Sequence, residues 1–193
     1  MYELIAIGGS WGGMTALSRL LDALPPEVRQ PIVVVLHRSP TSVEGGLATV
    51  LQAHVARPVA DAEDKDPLEP YRIYLAPPDY HLLVERGWLS LSIDERVHYA
   101  RPSIDVLFES AAESYGDAAI GIILTGANDD GAAGLAAIKR AGGVALVQDP
   151  ETSERRRMPE AALAATHADA VLPLDEMPKF LYGLCAETAG ARV

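Results

Sequence analysis

The stretch Leu4-Ile5-Ala6-Ile7-Gly8-Gly9-Ser10-Trp11-Gly12-Gly13 decides how the chain folds. It is a short apolar run that stops at glycines, and a helical pattern with leucines on one face follows it, from Leu17 to Leu24. The next apolar run, Ile32-Val33-Val34-Val35-Leu36, presents apolar side chains to both faces. Such runs are typical of parallel strands that are covered on both sides. We therefore predict a strand, a glycine turn, a helix and a second parallel strand.

The same alternation continues to the end of the chain. Further strands are predicted over 71–75, 119–124, 144–147 and 170–172, and further helices over 43–53, 103–114, 132–141, 159–165 and from about 175. The segments 81–84 and 88–93, separated by Arg86-Gly87, are typical of an antiparallel hairpin. The pattern predicts an α/β fold with a doubly wound, mostly parallel sheet, a hairpin insertion and a Rossmann-like three-layer arrangement. We expect residues 1–193 to form one domain.

Composition and charge exclude several classes of protein. The 193 residues are 49% hydrophobic and 22% charged, as in a globular protein with a core. A net charge of −11 disfavours nucleic-acid binding. No apolar stretch is long enough to span a membrane, and Met1-Tyr2-Glu3 does not begin a signal peptide. The single cysteine, Cys185, fits a reducing compartment, the cytoplasm, and is expected to be a buried apolar side chain.

Three residues of complementary chemistry follow three of the predicted strands. Ser10 comes after the first strand, His37 after the second, and Asp130 after the strand that ends at Leu124. Ligands of parallel sheets bind at the carboxyl ends of the strands, so we expect these side chains to meet there. A serine hydroxyl needs an adjacent base, and a buried carboxylate orients that base. The pattern thus indicates a serine hydrolase.

Each of these residues also has a simpler interpretation. Ser10 fits a helix N-cap or a phosphate contact, His37 a structural histidine, and Asp130 a cap of the following helix. Asp129 competes with Asp130 for the role of the acid. The glycine loop lacks the full G-x-G-x-x-G spacing of a dinucleotide site, which disfavours a nucleotide-binding protein. The other histidines share no metal-ligand spacing, so no metal site is expected.

At these residues the sequence resembles the catalytic domain of the CheB family, the protein-glutamate methylesterases of bacterial chemotaxis. The resemblance covers nearly the whole chain. It lies in the segments Ile5–Gly13, Val35–Pro40, Tyr74–His81, Arg101–Phe108, Ile123–Ala132, Gln148–Pro150 and Met158–Ala162.

This resemblance implies a function and a set of site residues. The expected reaction is hydrolysis of glutamyl methyl esters, with possible deamidation of glutamines, on methyl-accepting chemotaxis receptors. It implies Ser10 as the nucleophile, His37 as the base and Asp130, rather than Asp129, as the acid. No cofactor is implied. The family's common regulated form also has a phosphoryl-receiver domain that this sequence does not contain, so the chain is either a stand-alone member or a fragment, with a possible separate regulatory partner.

The resemblance also predicts the surroundings of the triad. Backbone N–H groups near Trp11 and Ala127 are expected to form the oxyanion hole. Arg38, Arg101 and Met158 are candidates for the pocket, and each also fits a structural role.

The chain departs from the family pattern near the site. Trp11 replaces a small or hydroxyl residue, Leu36 a glutamine, and Ala127-Asn128 a Met-Gly pair. These departures keep open a degenerate, non-catalytic signalling or binding module, or an esterase of different substrate.

Overall fold

The computed structural model describes residues 1–38, 43 and 45–186, in which strands and helices alternate along the chain. Its strands are Leu4–Gly9 (β1), Ile32–Leu36 (β2), Val59–Asp61 (β3), Ile73–Leu75 (β4), His81–Glu85 (β5), Trp88–Ser92 (β6), Ala119–Ile123 (β7), Val144–Gln148 (β8) and Ala170–Leu172 (β9). Its α-helices are Gly13–Asp22 (α1), Gly46–Gln52 (α2), Ile104–Tyr115 (α3), Ala132–Arg140 (α4), Arg157–Ala165 (α5) and Met177–Ala186 (α6).

Seven strands form one parallel sheet in the order β3-β4-β2-β1-β7-β8-β9, and β5 and β6 form a separate antiparallel hairpin. The predicted doubly wound sheet with a hairpin insertion is confirmed. The chain builds the sheet outward from β1, first towards β4 and then, from β7, in the opposite direction. The strand order therefore reverses between β1 and β7, which is where ligands of such sheets bind.

Both faces of the sheet are covered because its central strands are apolar on both sides. Ile5 and Ile7 of β1 lie in a core with α1, α2 and α6, whereas Leu4 and Ala6 lie in a second core with α3, α4 and α5. The hairpin packs on α3 in the second core. Cys185 is buried in the first core, as predicted, and burial raises the pKa of its thiol to about 11. Among the described residues, no helix combines the length and apolarity needed to cross a membrane.

The differences from the sequence prediction include those at β3, α2 and α6. Strand β3 was not predicted, because Val59–Asp61 is only three residues long and half-buried, without an apolar run. Helix α2 begins at Gly46 rather than 43, and residue 44 lies outside the described residues. The C-terminal segment begins with a 3-10 turn, Leu174–Glu176, before α6 starts at Met177.

Gly131, directly before α4, cannot accept a side chain without strain. Its φ is +94°, and a Cβ there would lie 2.6 Å from side-chain atoms of Ile104 and Ile123. We expect Gly131→Ala to lower the free energy of unfolding by about 2–4 kcal/mol in urea titrations. Gly87→Ala is the matched control, because its φ is +92° and nothing lies within 4 Å of the added Cβ. An equal loss in both variants would show that packing at Gly131 is unimportant.

Candidate active site

The carboxyl ends of β1, β2 and β7 bring Ser10 and His37 to one edge of the sheet. Ser10 N donates a hydrogen bond to Thr125 O (3.0 Å), and His37 N donates to Gly9 O (3.1 Å). Because Gly9 pairs with Leu36 in the sheet, Ser10 and His37 follow at the same level on neighbouring strands. Neighbouring strands lie about 4.8 Å apart, so the two backbones are adjacent.

His37 is paired with a buried carboxylate, that of Asp130. His37 Nε2 donates to Asp130 Oδ2 at 2.7 Å, and the Asp130 side chain is fully buried. An ionised carboxylate can accept hydrogen bonds but cannot donate them. The proton therefore lies on Nε2, and the lone pair of the neutral ring is on Nδ1. The ring nitrogen available as a base is therefore Nδ1.

The Asp130 carboxylate is held by the first turn of another helix. It accepts hydrogen bonds from Ser103 Oγ (2.8 Å), Ile104 N (2.8 Å) and Asp105 N (3.0 Å), at the start of α3. Burial alone would raise the pKa of this carboxyl, but the hydrogen bonds from His37, Asp105 and Ile104 outweigh burial and hold the pKa below its usual value. Asp130 thus caps α3 rather than α4, the helix that follows it, whose N-cap residue Gly131 makes no side-chain cap hydrogen bond.

Asp105 makes the reciprocal connection between the two helices. Its Oδ1 accepts a hydrogen bond from Gly134 N at 2.7 Å, in the first turn of α4, and His98 Nε2 lies 3.2 Å from its Oδ2. Burial raises the pKa of the Asp105 carboxyl, a direction that the Gly134 hydrogen bond opposes. Asp130, just before α4, thus bonds the first turn of α3, and Asp105, in α3, bonds the first turn of α4. These hydrogen bonds fix α3 against α4 and so fix the position of Asp130.

Asp129 lies away from this pair. Its side chain is half-exposed, 3.6 Å from Arg157 Nη2 and 3.9 Å from His98 Nδ1. Its hydrogen-bond and ion-pair partners among the described residues do not include His37. Of the two aspartates that the sequence offered, Asp130 is the one that meets the imidazole.

Ser10 lies in the tight turn between β1 and α1. Gly13 N donates to Ser10 O at 2.8 Å, and Gly12 has a φ of +77°, which its lack of a side chain permits. Between Ser10 Oγ and His37 the described part of the chain shows no hydrogen bond. Nucleophile–base distances are often long without substrate. The turn therefore places Ser10 at the strand end next to that of His37, without a hydrogen bond between the two side chains in the described part of the chain.

The Trp11 side chain points outward from the turn between β1 and α1. It is 59% exposed, its Nε1 donates to Glu154 Oε1 at 2.9 Å, and the Arg155 guanidinium lies 5.0 Å from its ring centroid. Ala127 is also exposed. Among the hydrogen bonds of the described residues, neither the Trp11 N–H nor the Ala127 N–H has an acceptor. Both remain available for an oxyanion.

Thr125 connects three loops of the site, and sequence reasoning gave it no role. It is buried, and its Oγ1 donates to Trp11 O at 3.1 Å while accepting from Arg155 N at 2.8 Å. Its backbone N–H donates to Gln148 Oε1 at 2.9 Å. Ser103 was likewise missed as a partner of Asp130. The available signal was position, because Thr125 follows β7 and Gln148 ends β8 at the same edge as Ser10.

The predicted pocket residues occupy two different environments. Arg38 and Arg101 border a cleft of about 230 Å³ beside His37. Met158 is buried under the aspartate loop instead, and its Sδ would be 2.6 Å from a Cβ at Gly126. Ser39 and Pro40, which follow Arg38, lie outside the described residues. Among the described residues, no cluster of three or more His, Cys, Asp or Glu side chains is arranged to hold a metal ion.

Asn128 contacts the free nitrogen of His37. Its Nδ2 donates to His37 Nδ1 at 3.2 Å, and its Oδ1 is buried without a partner among the described residues. Neutral Nδ1 has one lone pair, so the amide occupies the position that a serine hydroxyl needs. Asn128 therefore occupies the lone pair of Nδ1 that a hydroxyl donor such as Ser10 would use.

Removing this amide should make Ser10 more reactive. A neutral hydrogen bond has a net free energy of about 0.5–1.5 kcal/mol, so we expect Asn128→Gly to speed organophosphonate labelling of Ser10 by about 2–10-fold. Asn128→Ala, which also lacks the amide but not the Cβ, should show the same gain. A gain in the glycine variant alone would attribute the effect to the backbone, and slower labelling in both would contradict competition.

Comparison with known proteins shows the family to which the chain belongs. The CheB methylesterase family model matches residues 5–181. A putative protein-glutamate methylesterase/protein-glutamine glutaminase of Leptospira interrogans is 46% identical over 95% of both chains. A protein-glutamate methylesterase/protein-glutamine glutaminase of Anaeromyxobacter dehalogenans is 42% identical over 93% of this chain, which spans 52% of that protein. The crystal structure of the Thermotoga maritima CheB methylesterase catalytic domain matches with a TM-score of 0.89 and 33% identity, over 95% of this chain and 99% of that one. The chain belongs to the CheB methylesterase family.

Proposed function

We propose that this chain is a protein-glutamate methylesterase that hydrolyses γ-glutamyl methyl esters with Ser10, His37 and Asp130. The observation that supports this most is the 2.7 Å hydrogen bond from His37 Nε2 to the buried Asp130, with Ser10 on the neighbouring strand end. Because Nε2 is bonded to the carboxylate, Nδ1 is the ring nitrogen that is left to accept a proton. The names of the relatives support the same reaction.

The proposed reaction begins with attack of Ser10 Oγ on the ester carbonyl carbon while His37 Nδ1 takes the hydroxyl proton. Asp130 stays ionised and stabilises the imidazolium through Nε2–H. Collapse of the tetrahedral intermediate breaks the bond to the methoxy group, and Nδ1–H protonates it to give methanol. Water then attacks the acyl-Ser10 ester by the same route, which releases the glutamate and regenerates the hydroxyl.

The developing oxyanion is proposed to bind the backbone N–H groups of Trp11 and Ala127. Their lack of acceptors among the described residues supports this, as does their position after β1 and β7. A single donor of this kind typically contributes about 3–4 kcal/mol to the stability of the transition state. A backbone N–H is kept by any residue except proline, so Ala127 supplies this donor even though the family usually has methionine there.

Deamidation of glutamine is a second reaction that the same site suits. Attack of Ser10 on a side-chain amide gives the same acyl intermediate and releases ammonia instead of methanol. The relatives carry both activities in their names, which favours this addition. We therefore propose that receptor glutamines are substrates as well.

The proposed partner is the helical cytoplasmic region of a methyl-accepting chemotaxis receptor, which would place the enzyme in the cytoplasm. We also propose that residues 1–193 act as one catalytic domain, because β1 and β9 belong to the same sheet. A regulatory partner, if the domain has one, would be a separate protein or a segment outside this sequence.

The test is methanol release from methylated receptor fragments by the purified chain. We expect release that depends on Ser10 and labelling of Ser10 by an organophosphonate. Hydrolysis of small esters without activity on any receptor fragment would indicate an esterase of different substrate. Absence of both labelling and hydrolysis would indicate a non-catalytic module.

A further inference from the structure

The cleft beside His37 is rich in positive charge although the whole chain is acidic. It measures about 230 Å³, and its lining includes three arginines, Arg38, Arg96 and Arg101. We call these three residues and the space between them the arginine cleft. The chain has a net charge of −11, which repels acidic partners at long range. A local group of cations next to the proposed base is therefore unexpected from composition and needs its own explanation.

Arg38 has hydrogen-bonding capacity that the described residues do not use. Its side chain is 10% exposed, and Nη2 donates to Ala76 O at 2.5 Å and lies 3.4 Å from Asp61 Oδ1. Its Nε and Nη1 are buried and have no partner among the described residues. Buried donors without acceptors destabilise a structure, and charged donors do so most. An acceptor from outside the chain would relieve this cost.

Arg96 and Arg101 share a single carboxylate. Arg101 Nη2 and Nε lie 3.0 and 3.3 Å from Asp79 Oδ1, and Arg96 Nη2 lies 3.3 Å from the same oxygen. Arg101 Nη1 donates to the carbonyl oxygens of Ile93 (2.7 Å) and Asp94 (3.0 Å). One carboxylate cannot neutralise two guanidinium groups. With Asp61 at Arg38, the three arginines are paired with only two carboxylates among the described residues.

We infer that the arginine cleft is a subsite for a carboxylate of the substrate, next to the esterified glutamate. This inference rests on the proposed function and deepens it by naming what the substrate must present beside the ester. Guanidinium groups bind carboxylates through paired, charge-assisted hydrogen bonds. On a helix, side chains three or four residues apart lie on one face with about 5–6 Å between their Cβ atoms. A glutamate one turn from the ester therefore fits a cleft that borders His37.

The experiment compares two helical peptides that differ in one residue. Both carry a glutamyl methyl ester, and the residue four positions away is glutamate in one and glutamine in the other. We expect kcat/KM for the glutamate peptide to be about tenfold higher, mainly through KM, because charge-assisted hydrogen bonds to a carboxylate are stronger than neutral hydrogen bonds to an amide. High salt should reduce the preference.

Variants assign the preference to the cleft. Arg96→Gln and Arg38→Gln should each reduce the glutamate-to-glutamine ratio of kcat/KM at least threefold. The ratio cancels general losses of activity, and the half-exposed Arg96 tests the inference if Arg38→Gln fails to fold. Arg86→Gln is the matched control, because Arg86 is an exposed arginine at the hairpin turn, paired with Glu3 and outside the arginine cleft. It should leave the ratio unchanged.

The outcomes separate this inference from the proposed function. Hydrolysis of neither peptide by the unmodified chain would argue against the esterase, and the subsite is then judged by binding of the two peptides to Ser10→Ala. Equal kcat/KM for both peptides, or equal binding where there is no turnover, would overturn the subsite and leave the esterase intact. A preference that survives in both cleft variants, or that falls equally in Arg86→Gln, would also overturn it.

Discussion

Replacing Ser10 by alanine is expected to abolish methyl ester hydrolysis while leaving the fold unchanged. The loss in kcat should be on the order of 10⁶, the effect of deleting the nucleophile in serine hydrolases that act through a triad. Ser10 Oγ bonds neither His37 nor any other described side chain, so its removal leaves no unsatisfied partner there. We expect the free energy of unfolding to change by less than about 0.5 kcal/mol.

A second serine provides the control for this substitution. Ser18 is half-buried on α1, away from the carboxyl ends of the strands, and Ser18→Ala should keep full activity. Methanol release measures activity, and urea titration measures stability in both variants. Turnover by Ser10→Ala within tenfold of the unmodified chain would remove Ser10 from the role of nucleophile.

Replacing Asp130 by asparagine is expected to impair both catalysis and stability. An amide presents N–H groups where a carboxylate accepts hydrogen bonds from His37, Ser103, Ile104 and Asp105. The His37 ring then loses the partner that fixes its proton on Nε2, and we expect kcat to fall about 10⁴-fold. Breaking a buried charged pair typically costs about 3–5 kcal/mol, and we expect a loss in that range in urea titrations at neutral pH.

The loss of stability should depend on pH with a defined sign. The folded pKa of Asp130 lies below its usual value, so its contribution to stability is fully present above the unfolded pKa, about 3.9, and disappears as the pH falls through the folded pKa. The difference in stability between the unmodified chain and Asp130→Asn should therefore shrink as the pH falls below about 3.9.

Asp129→Asn is the control, because Asp129 is half-exposed and faces Arg157 and His98 instead of His37. It should change stability by less than about 1 kcal/mol and retain activity. If Asp129→Asn were as damaging as Asp130→Asn, the assignment of the acid would be wrong.

The sheet was well predicted from the sequence because the burial of its central strands is evident from their own apolar residues. β2 has the predicted bounds, Ile32–Leu36, since every residue in it is apolar and buried. Strand β3 was not predicted because its three residues do not form a strand pattern by themselves. It is a strand because it pairs with β4. Local pattern predicted the fully buried β2 and failed at β3, which depends on its neighbour.

The candidate site was predictable in its residues but not in its contacts. Positions at strand ends singled out Ser10, His37 and one acid of the pair Asp129-Asp130, since the fold brings those ends together, and the family resemblance chose Asp130. The capping of α3 by Asp130 joins residues 25 or more positions apart, and no local pattern encodes it. The contact of Asn128 with His37 Nδ1 depends equally on tertiary packing. Side-chain partners across loops are fixed by the folded structure rather than by spacing along the chain.

The most direct test of the account is the distance from Ser10 Oγ to His37 Nδ1 in a crystal structure of the organophosphonate adduct. We expect the phosphorus on Ser10 Oγ, His37 Nε2 still bonded to Asp130, and Nδ1 within about 2.6–3.2 Å of Ser10 Oγ. An adduct on another residue, or an imidazole whose Nδ1 points away from Ser10, would contradict the proposal that these three side chains act together.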